Sequence, residues 1–310
     1  MQQTECYKIQ LLQGDKNLLF NIKQLEVVHQ IRNTTNSLSL LPKVILADPF
    51  LFVKEDILYL FYESKMYGKD GVIKMICTKN LKDWSKPITV LQESFHLSYP
   101  FVFKDGDSVY MIPETCASRE IRLYKADDDS LSHFSFLSTI VKHDERVSDV
   151  QIDYSDSSLY IKDDVYYLMT SIKENNRNNL LLYYSKNLTG PFIKHPSSPI
   201  VTSMKYGRNA GCLLEKEGKL YRVAQDCVNR YGDNVHLFMV DTINEYSYQE
   251  HLLNENIIPS DDNFYSEGGH QFNFVFFKNN FVVATDAREY REFPLARLLY
   301  KLGRVYNKLF

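Results

Sequence analysis

The chain alternates short apolar runs with polar turns, and one such unit recurs along its length. Residues 48–62 read DPFLFVKEDILYLFY, an apolar run, a polar turn and a second run rich in aromatic residues. This pattern is typical of a β-hairpin. The same frame returns as YPFVFKDGDSVYMIP from Tyr99, DSSLYIKDDVYYLMT from Asp156, AGCLLEKEGKLYRVA from Ala210 and, more loosely, FNFVFFKNNFVVATD from Phe272. The sequence therefore predicts five copies of one hairpin unit.

The spacing of the copies predicts how they are assembled. They begin roughly 50 to 60 residues apart, enough for the four short strands of a propeller blade. The last copy lacks outer strands, which the segments CYKIQLL and KQLEVVHQI near the N-terminus could supply. We predict an all-β, five-bladed β-propeller over residues 1–290, with 1–45 closing the ring on blade five. An open β-sandwich with five similar hairpins is the alternative.

The last residues have a different periodicity, which predicts a short C-terminal amphipathic helix over 291–310. Pro294 suits its first turn. A basic amphipathic helix can lie on an anionic membrane surface, and packing against the propeller is the alternative. The apolar positions at helical spacing are Leu295, Leu298, Leu299, Leu302, Tyr306 and Leu309, and the basic ones are Arg297, Lys301, Arg304 and Lys308.

Charge and cysteine content narrow the classes of function. The net charge is −3 and the body of the chain has no long basic run, so a nucleic-acid partner is not predicted. The five cysteines are scattered and never spaced as C-x-x-C, so neither a zinc site nor a disulfide framework is indicated. No metal or other cofactor is predicted, although a carboxylate-lined channel could hold calcium. Without a signal segment, the expected location is cytoplasmic, with contact to the inner face of the membrane through residues 295–310.

The ends of the hairpin strands collect polar residues. In a propeller, the residue that opens the first strand of a blade and the one that closes the second lie on the same rim. Crowded carboxylates shift one another's pKa, so that one can be an acid while another is a base, a division that glycosidic chemistry requires. The candidates at this rim are Asp48, Glu63, Tyr99, Glu114, Asp156, Arg208, Asn209, Gln225, Asp226, Glu267 and His270.

Each main candidate also has a structural explanation. Asp48 could accept hydrogen bonds from turn amides, and Asp156 lies in a polar segment where a turn role is equally plausible. Glu114 could pair with Arg119 or Arg122, and Arg208 could be an ordinary salt-bridge partner. His270 could be a buried structural imidazole.

The repeated hairpins, with tails such as KNLKDW, resemble the five-bladed glycoside hydrolases that include arabinanases, β-xylosidases and invertases. That resemblance implies a general base at the opening of blade one, a pKa-tuning Asp at blade three and an acid Glu at blade four. Asp48 and Asp156 match the first two positions. Blade four instead opens with GRNAGC, which places Arg208 and Asn209 where the acid would be.

A narrower resemblance rests on LADPFLF, YPFVF, MIPETCASREIRLY, GRNAG, YRVAQDCVNRYG and GGH in this order. These motifs resemble the propeller region that precedes the transferase domain of plant glucosamine inositolphosphorylceramide transferases, and its stand-alone bacterial relatives, which are associated with making surface polysaccharides.

These resemblances imply a carbohydrate-active protein of surface-polysaccharide biosynthesis that acts on a glycan or glycosyl donor, with a glycosyltransferase as an expected partner. Asp48, Glu114 and Asp156 are the predicted catalytic residues, and Arg208 would hold an anionic group of the ligand, with the other rim candidates binding substrate. The alternative is a non-catalytic glycan-binding or scaffold module.

Overall fold

The computed structural model describes residues 3–142 and 152–309, and its strands form five separate antiparallel sheets. The first strands of neighbouring blades contact one another: β3 contacts both β20 and β7, and β7 contacts β11. The prediction of an all-β, five-bladed β-propeller with a short C-terminal helix is confirmed.

Two strands precede blade one, namely β1 (Thr4–Gly14) and β2 (Glu26–Ile31). Blade one contains β3 (Lys43–Lys54), β4 (Ile57–Met66), β5 (Val72–Thr78) and β6 (Ile88–Leu91). Blade two contains β7 (Ser98–Asp105), β8 (Ser108–Glu114), β9 (Glu120–Ala126) and β10 (Phe134–Lys142). Blade three contains β11 (Ser155–Lys162), β12 (Val165–Glu174), β13 (Arg177–Ser185), β14 (Ile193–Lys194) and β15 (Val201–Thr202). Blade four contains β16 (Leu214–Lys216), β17 (Lys219–Gln225), β18 (Val235–Ile243) and β19 (Tyr248–Asn254).

Blade five combines strands from the two ends of the described chain. Its sheet has the order β2-β1-β21-β20, with β20 at Phe272–Phe277 and β21 at Asn280–Arg291. β1 pairs with β21 along its whole length, from Thr4 opposite Arg291 to Gly14 opposite Phe281. Main-chain hydrogen bonds between an early and a late strand therefore hold the ring closed, and they cover the edge that β21 would otherwise expose.

The hairpin turns explain the polar residues between the apolar runs. Asp163-Asp164, Glu217-Gly218 and Lys278-Asn279 all have positive φ at both positions. Two consecutive left-handed residues are the signature of the type I′ turn, whose twist matches that of the strands that it joins. Asp, Asn and Gly adopt this conformation at low cost, which explains why these residue types recur in the hairpin turns.

The C-terminal helix, α1 (Pro294–Leu309), packs on the propeller with one face. Phe293, just before it, and Ala296 are buried against Cys6 and Val44. Its side chains are described as far as Leu302, and those of Leu298, Leu299 and Leu302 are exposed. Neither this helix nor another helix in the described ranges is long and apolar enough to cross a membrane.

Shortening a core side chain of β1 tests how much the closure contributes to stability. Leu11, on β1, is fully buried and packs against side chains of β21 and blade one. We expect Leu11→Ala to lower the free energy of unfolding by about 2–5 kcal/mol, because the substitution leaves a cavity. Urea denaturation measures the change. Val27→Ala on β2, where Val27 is 48% exposed, is the control and should cost less than about 0.5 kcal/mol. Equal losses of stability in the two variants would contradict a contribution of β1 to the stability of the fold.

Candidate functional site

Three blades open with the same local distortion, and it places their first residues at the rim. Asp48, Tyr99 and Asp156 have φ values of 52°, 46° and 50°. Each lies in a β-bulge, because the pairing register shifts between Ala47 and Phe50 and at the equivalent positions of the other two blades. A left-handed residue without glycine costs about 1 kcal/mol or more, and bulges commonly redirect a side chain toward a site.

Blade four reaches the rim differently. Its opening segment GRNAG contains two glycines at crowded positions. A Cβ on Gly207 would lie 2.1 Å from the carbonyl oxygen of Asn178, and one on Gly211 would lie 2.3 Å from that of Phe272. Only glycine permits these approaches, and they bring Arg208 and Asn209 onto the rim before β16 begins.

The rim surrounds a cavity of about 230 Å³. It brings together six of the predicted site residues, namely Asp48, Glu63, Glu114, Asp156, Arg208 and His270. The sequence analysis did not place the other lining residues at the site: Glu5, Tyr7, Ile45, Ala47, Lys65, His96, Ser98 and Tyr231. The cavity is therefore a carboxylate-rich pocket with cationic and aromatic groups on its walls.

His270 lies between two carboxylates on the side of the cavity formed by blades five and one. Its Nδ1 is 2.9 Å from Oδ2 of Asp286, and its Nε2 is 3.3 Å from Oδ1 of Asp48. Burial disfavours the charged imidazole, but Asp286, Tyr7 and Asp48 outweigh it and raise the pKa of His270 well above its usual value. A doubly protonated imidazolium satisfies both contacts at once.

Backbone amides complete this arrangement. Asp286 accepts from the N–H groups of Asp48 at 3.1 Å, His270 at 2.9 Å and Gln271 at 3.1 Å. The N–H of Tyr99 in turn donates to Oδ2 of Asp48 at 3.1 Å. Amide donors stabilise the ionised form of a carboxylate, so the Tyr99 amide helps to lower the pKa of the buried Asp48.

Asp48 and Glu63 line the same cavity, and their pKa values are shifted in opposite directions. Burial opposes ionisation of Asp48, but the hydrogen bond and charge of His270, with the Tyr99 amide, lower its pKa overall. Burial and then the charge of Asp48 raise the pKa of Glu63 well above its usual value. Two carboxyl groups that line one cavity therefore have pKa values pushed in opposite directions, which is the pattern of an acid–base pair.

His96 adjoins Glu63 and is neutral. The N–H of Gly71 donates to its Nδ1 at 2.8 Å, which requires that nitrogen to be unprotonated. Its Nε2 lies 3.5 Å from Oε1 of Glu63. Burial, followed by the charge of Lys65, lowers the pKa of His96.

Arg208 occupies the opposite side of the cavity and is bound by two carboxylates. Its Nε donates to Oδ2 of Asp156 at 2.5 Å, and its Nη2 lies 3.6 Å from Oε2 of Glu114. The ring of Tyr231 lies over the guanidinium, 4.9 Å away. Burial raises the pKa of Asp156 to about 8, opposed by Arg208 and supported by Glu114 and Asp48. Glu114 pairs here rather than with Arg122, which contacts Glu120 and Glu93.

The other predicted site residues lie behind the cavity or away from it. Tyr99 is fully buried. Asn209 and Gln225 support Asp156 through hydrogen bonds. Nδ2 of Asn209 donates to the carbonyl oxygen of Asp156 at 2.8 Å, and Nε2 of Gln225 donates to its Oδ2 at 3.0 Å. Asp226 contacts His236 at 3.2 Å, and Glu267 contacts Arg230 at 3.1 Å. Neither of these last two lines the cavity.

Sequence reasoning missed Asp286, although it is the last residue of the fifth hairpin copy. Counting in the frame of blade one would put Ala287 at the closing position. β20 pairs with β21 without a bulge, with Phe272 opposite Thr285, so the carboxylate falls one residue earlier. His96 could not be found from the repeat, because it lies between β6 and β7 rather than on a strand.

Asp48, His270 and Asp286 offer ligand atoms within 4.8 Å of one another, so their fit to a metal ion must be considered. Both nitrogens of His270 already face carboxylates. A metal ligand must present a bare nitrogen, whereas this imidazole is best satisfied with protons on both. The group therefore fits a proton better than a metal ion.

The chain matches a known protein family over most of its length. The profile of the family described as glucosamine inositolphosphorylceramide transferase 1, N-terminal, matches residues 30–275. A glucosamine inositolphosphorylceramide transferase 1 of Oryza sativa subsp. japonica is 36% identical over 227 residues, which are 69% of this chain and 28% of that protein. The chain thus spans little more than a quarter of the length of this curated relative.

Solved structures of glycoside hydrolases share the fold. A family 117 glycoside hydrolase of Zobellia galactanivorans superposes with a TM-score of 0.57 at 12% identity, covering 83% of this chain and 87% of that one. A GH43 protein of Bacillus licheniformis superposes with a TM-score of 0.52 at 18% identity, covering 68% of this chain and 43% of that one. Identities this low indicate a common fold only.

Removing the charge of Asp286 tests the role of the buried pair. We expect Asp286→Asn to lower the free energy of unfolding by about 3–5 kcal/mol, because it leaves His270 buried with one partner too few. The matched control is Asp241→Asn, in an exposed pair whose carboxylate lies 2.7 Å from Nδ1 of His251. That variant should lose less than about 1 kcal/mol. Chemical denaturation of both at pH 7 measures the contrast, and similar losses would contradict it.

The opposite shifts of two histidines can be observed directly. Below the unfolded pKa of about 6.5, the raised folded pKa of His270 contributes its full stabilisation, which is lost as the pH rises through the folded value. We therefore expect nitrogen-15 NMR of labelled histidines to show His270 doubly protonated at pH 7.5, with His96 neutral. Assignment by His270→Gln and His96→Gln identifies the two signals. A neutral His270 at pH 7.5 would contradict the assigned charges.

Proposed function

We infer that this chain, which belongs to the glucosamine inositolphosphorylceramide transferase 1 N-terminal family, binds a glycan or glycosyl donor in the rim cavity and transfers or hydrolyses a glycosyl unit there. The observation that carries this proposal is that two carboxyl groups, Asp48 and Glu63, line one pocket and have pKa values shifted in opposite directions. Cleavage of a glycosidic bond needs one carboxylate as base or nucleophile and one carboxylic acid to protonate the leaving oxygen.

The roles follow from the charges. Asp48 is the base, because His270 and the Tyr99 amide keep it ionised. Glu63 is the acid, since its raised pKa keeps the proton that a leaving oxygen requires. Asp156 and Glu114, predicted as catalytic from the sequence, are instead proposed to orient the substrate, because Arg208 holds both of them.

The lining suits a sugar. Charged groups on opposite walls offer hydrogen-bond acceptors and donors to hydroxyl groups, and the ring of Tyr231 offers an apolar face. The curated relative is named as a transferase of glucosamine, which supports a glycosyl ligand. We extend this to a role in surface-polysaccharide biosynthesis in the cytoplasm, alongside a glycosyltransferase partner.

One observation favours a second function, a glycan-binding module without turnover. Arg208 contacts both Asp156 and Glu114 on the blade-three side of the cavity. A cavity that uses two of its carboxylates to hold an arginine is well built for binding. The two functions differ in whether products form.

Asp48→Asn separates the two functions. Isothermal titration with oligosaccharides and nucleotide sugars measures binding, and chromatography of the same mixtures measures products. We expect the wild-type protein to bind and turn over one class of these ligands. Asp48→Asn should lower the rate by about 100-fold or more, since it removes the base, and leave binding within a few fold.

Asp56→Asn is the matched control, because Asp56 lies in the exposed turn of the same hairpin, and it should behave as wild type. Binding without products in the wild-type protein would favour the module. Turnover unchanged in Asp48→Asn would refute the assignment of the base. Absence of binding to every sugar tested would refute a carbohydrate site.

A further inference from the structure

The helix α1 has two apolar faces, and the propeller covers only one. Ala296 is buried, and the ring of Tyr300 contacts that of Tyr67 at 5.8 Å, edge to face. These contacts fix the rotation of the helix about its axis. They leave an outer face of four leucines exposed, with exposed fractions of 38% to 55%: Leu295, Leu298, Leu299 and Leu302.

These four leucines form one stripe. Their spacing of three, four and seven residues puts them on the same side of a helix. Side chains of the described residues pack beneath α1 but leave this stripe open to solvent. Propeller strands already supply a large core, so the stripe is not needed to complete it.

A neighbouring loop extends the apolar surface. Leu40 and Leu41, in the connection between β2 and β3, are each 55% exposed. The loop is fixed beside the start of α1, because Arg291 donates to the carbonyl of Thr35 at 3.1 Å and the amide of Tyr67 donates to that of Pro42 at 2.9 Å. The leucines of the loop and the helix thus belong to one side of the molecule.

The positive charge of the helix indicates that the surface covering its leucines is anionic. The sequence of α1 contains four basic residues and no acidic one, in a chain whose net charge is −3. Among them, Lys301 is exposed next to Leu302. Leucines flanked by cations at helical spacing match a lipid surface with anionic headgroups, where the apolar side chains enter the acyl boundary and the cations remain among the phosphates.

We propose that the outer face of α1, together with Leu40 and Leu41, docks this protein on an anionic membrane surface. The docking would place the rim cavity near the lipid headgroups. Cys6 and Val44, on which α1 packs, are the chain neighbours of Glu5 and Ile45 in the cavity lining. The inference concerns association only and does not depend on the glycosyl chemistry proposed above.

Co-sedimentation of the 310-residue chain with vesicles tests it. With vesicles of 70% phosphatidylcholine and 30% phosphatidylserine we expect saturable binding, and with phosphatidylcholine alone binding weaker by about tenfold or more. Leu298→Ser/Leu302→Ser should lower the affinity for the mixed vesicles by more than about tenfold, because it removes two of the inserting side chains. Lys301→Gln should lower it by about fivefold, and only on the anionic vesicles.

Controls of the same chemistry lie elsewhere on the propeller. Ile193→Ser/Phe276→Ser removes two exposed apolar side chains of β14 and β20, which are 55% and 59% exposed, and Lys82→Gln removes an exposed lysine. Both should bind as wild type. Thermal unfolding of all variants checks that the fold is intact.

Three outcomes would overturn the proposal. They are absence of binding by the wild-type chain, equal loss in the test and control variants, and concentration-dependent dimerisation in sedimentation velocity that Leu298→Ser/Leu302→Ser abolishes while vesicles are not bound. The last outcome would assign the face to a second copy of the chain.

Discussion

The site depends on one buried interaction, the imidazolium of His270 between the carboxylates of Asp286 and Asp48. Asp286 is fully buried in the middle of β21, the strand on which β1 closes the ring. It also accepts a hydrogen bond from the backbone N–H of Asp48, so a single carboxylate joins the last blade to the first at the rim. A buried charge of this kind is stable only with a compensating partner, and His270 provides it. Ring closure and the charge of the site are therefore coupled.

The same interaction determines the protonation of the cavity. Burial, and then the charge of Asp48 beside His270, raises the pKa of Glu63 and favours its protonated form. On the far side, Arg208 compensates Asp156 and Glu114 in a second cluster. His270 and Arg208 each contact two carboxyl groups, and no ion pair of the described residues joins either cation to Glu63. The raised pKa of Glu63 is consistent with that position.

The fold could be predicted because strand pairing and turn chemistry leave local signals. Alternating apolar residues and Asp or Gly turns recur in each hairpin, and the confirmed architecture follows from their number and spacing. The residues of the rim could also be predicted, because they lie where the strands start and end. What could not be predicted was the direction of individual side chains. Tyr99 lies in the bulge of blade two that is equivalent to the bulge of Asp48, but it does not line the cavity. Asp226 and Glu267 have partners outside the cavity. Bulges and long-range partners decide such outcomes, and neither leaves a mark in the repeat.

Arg208 changes what chemistry the cavity can support. In the hydrolases that the sequence resembles, blade four supplies the acid, whereas here the GRNAG segment brings a permanent cation to that wall, held by Asp156 at 2.5 Å. A guanidinium cannot donate a proton at neutral pH, so any proton for a leaving group must come from a carboxyl group with a raised pKa, which is Glu63 on blade one or Asp156 beside Arg208. Asp48, the proposed base, and Glu63, the proposed acid, both lie on blade one, with His96 beside Glu63. In the proposed reaction the substrate would react against blade one, and Arg208 would bind the part of the ligand that does not react.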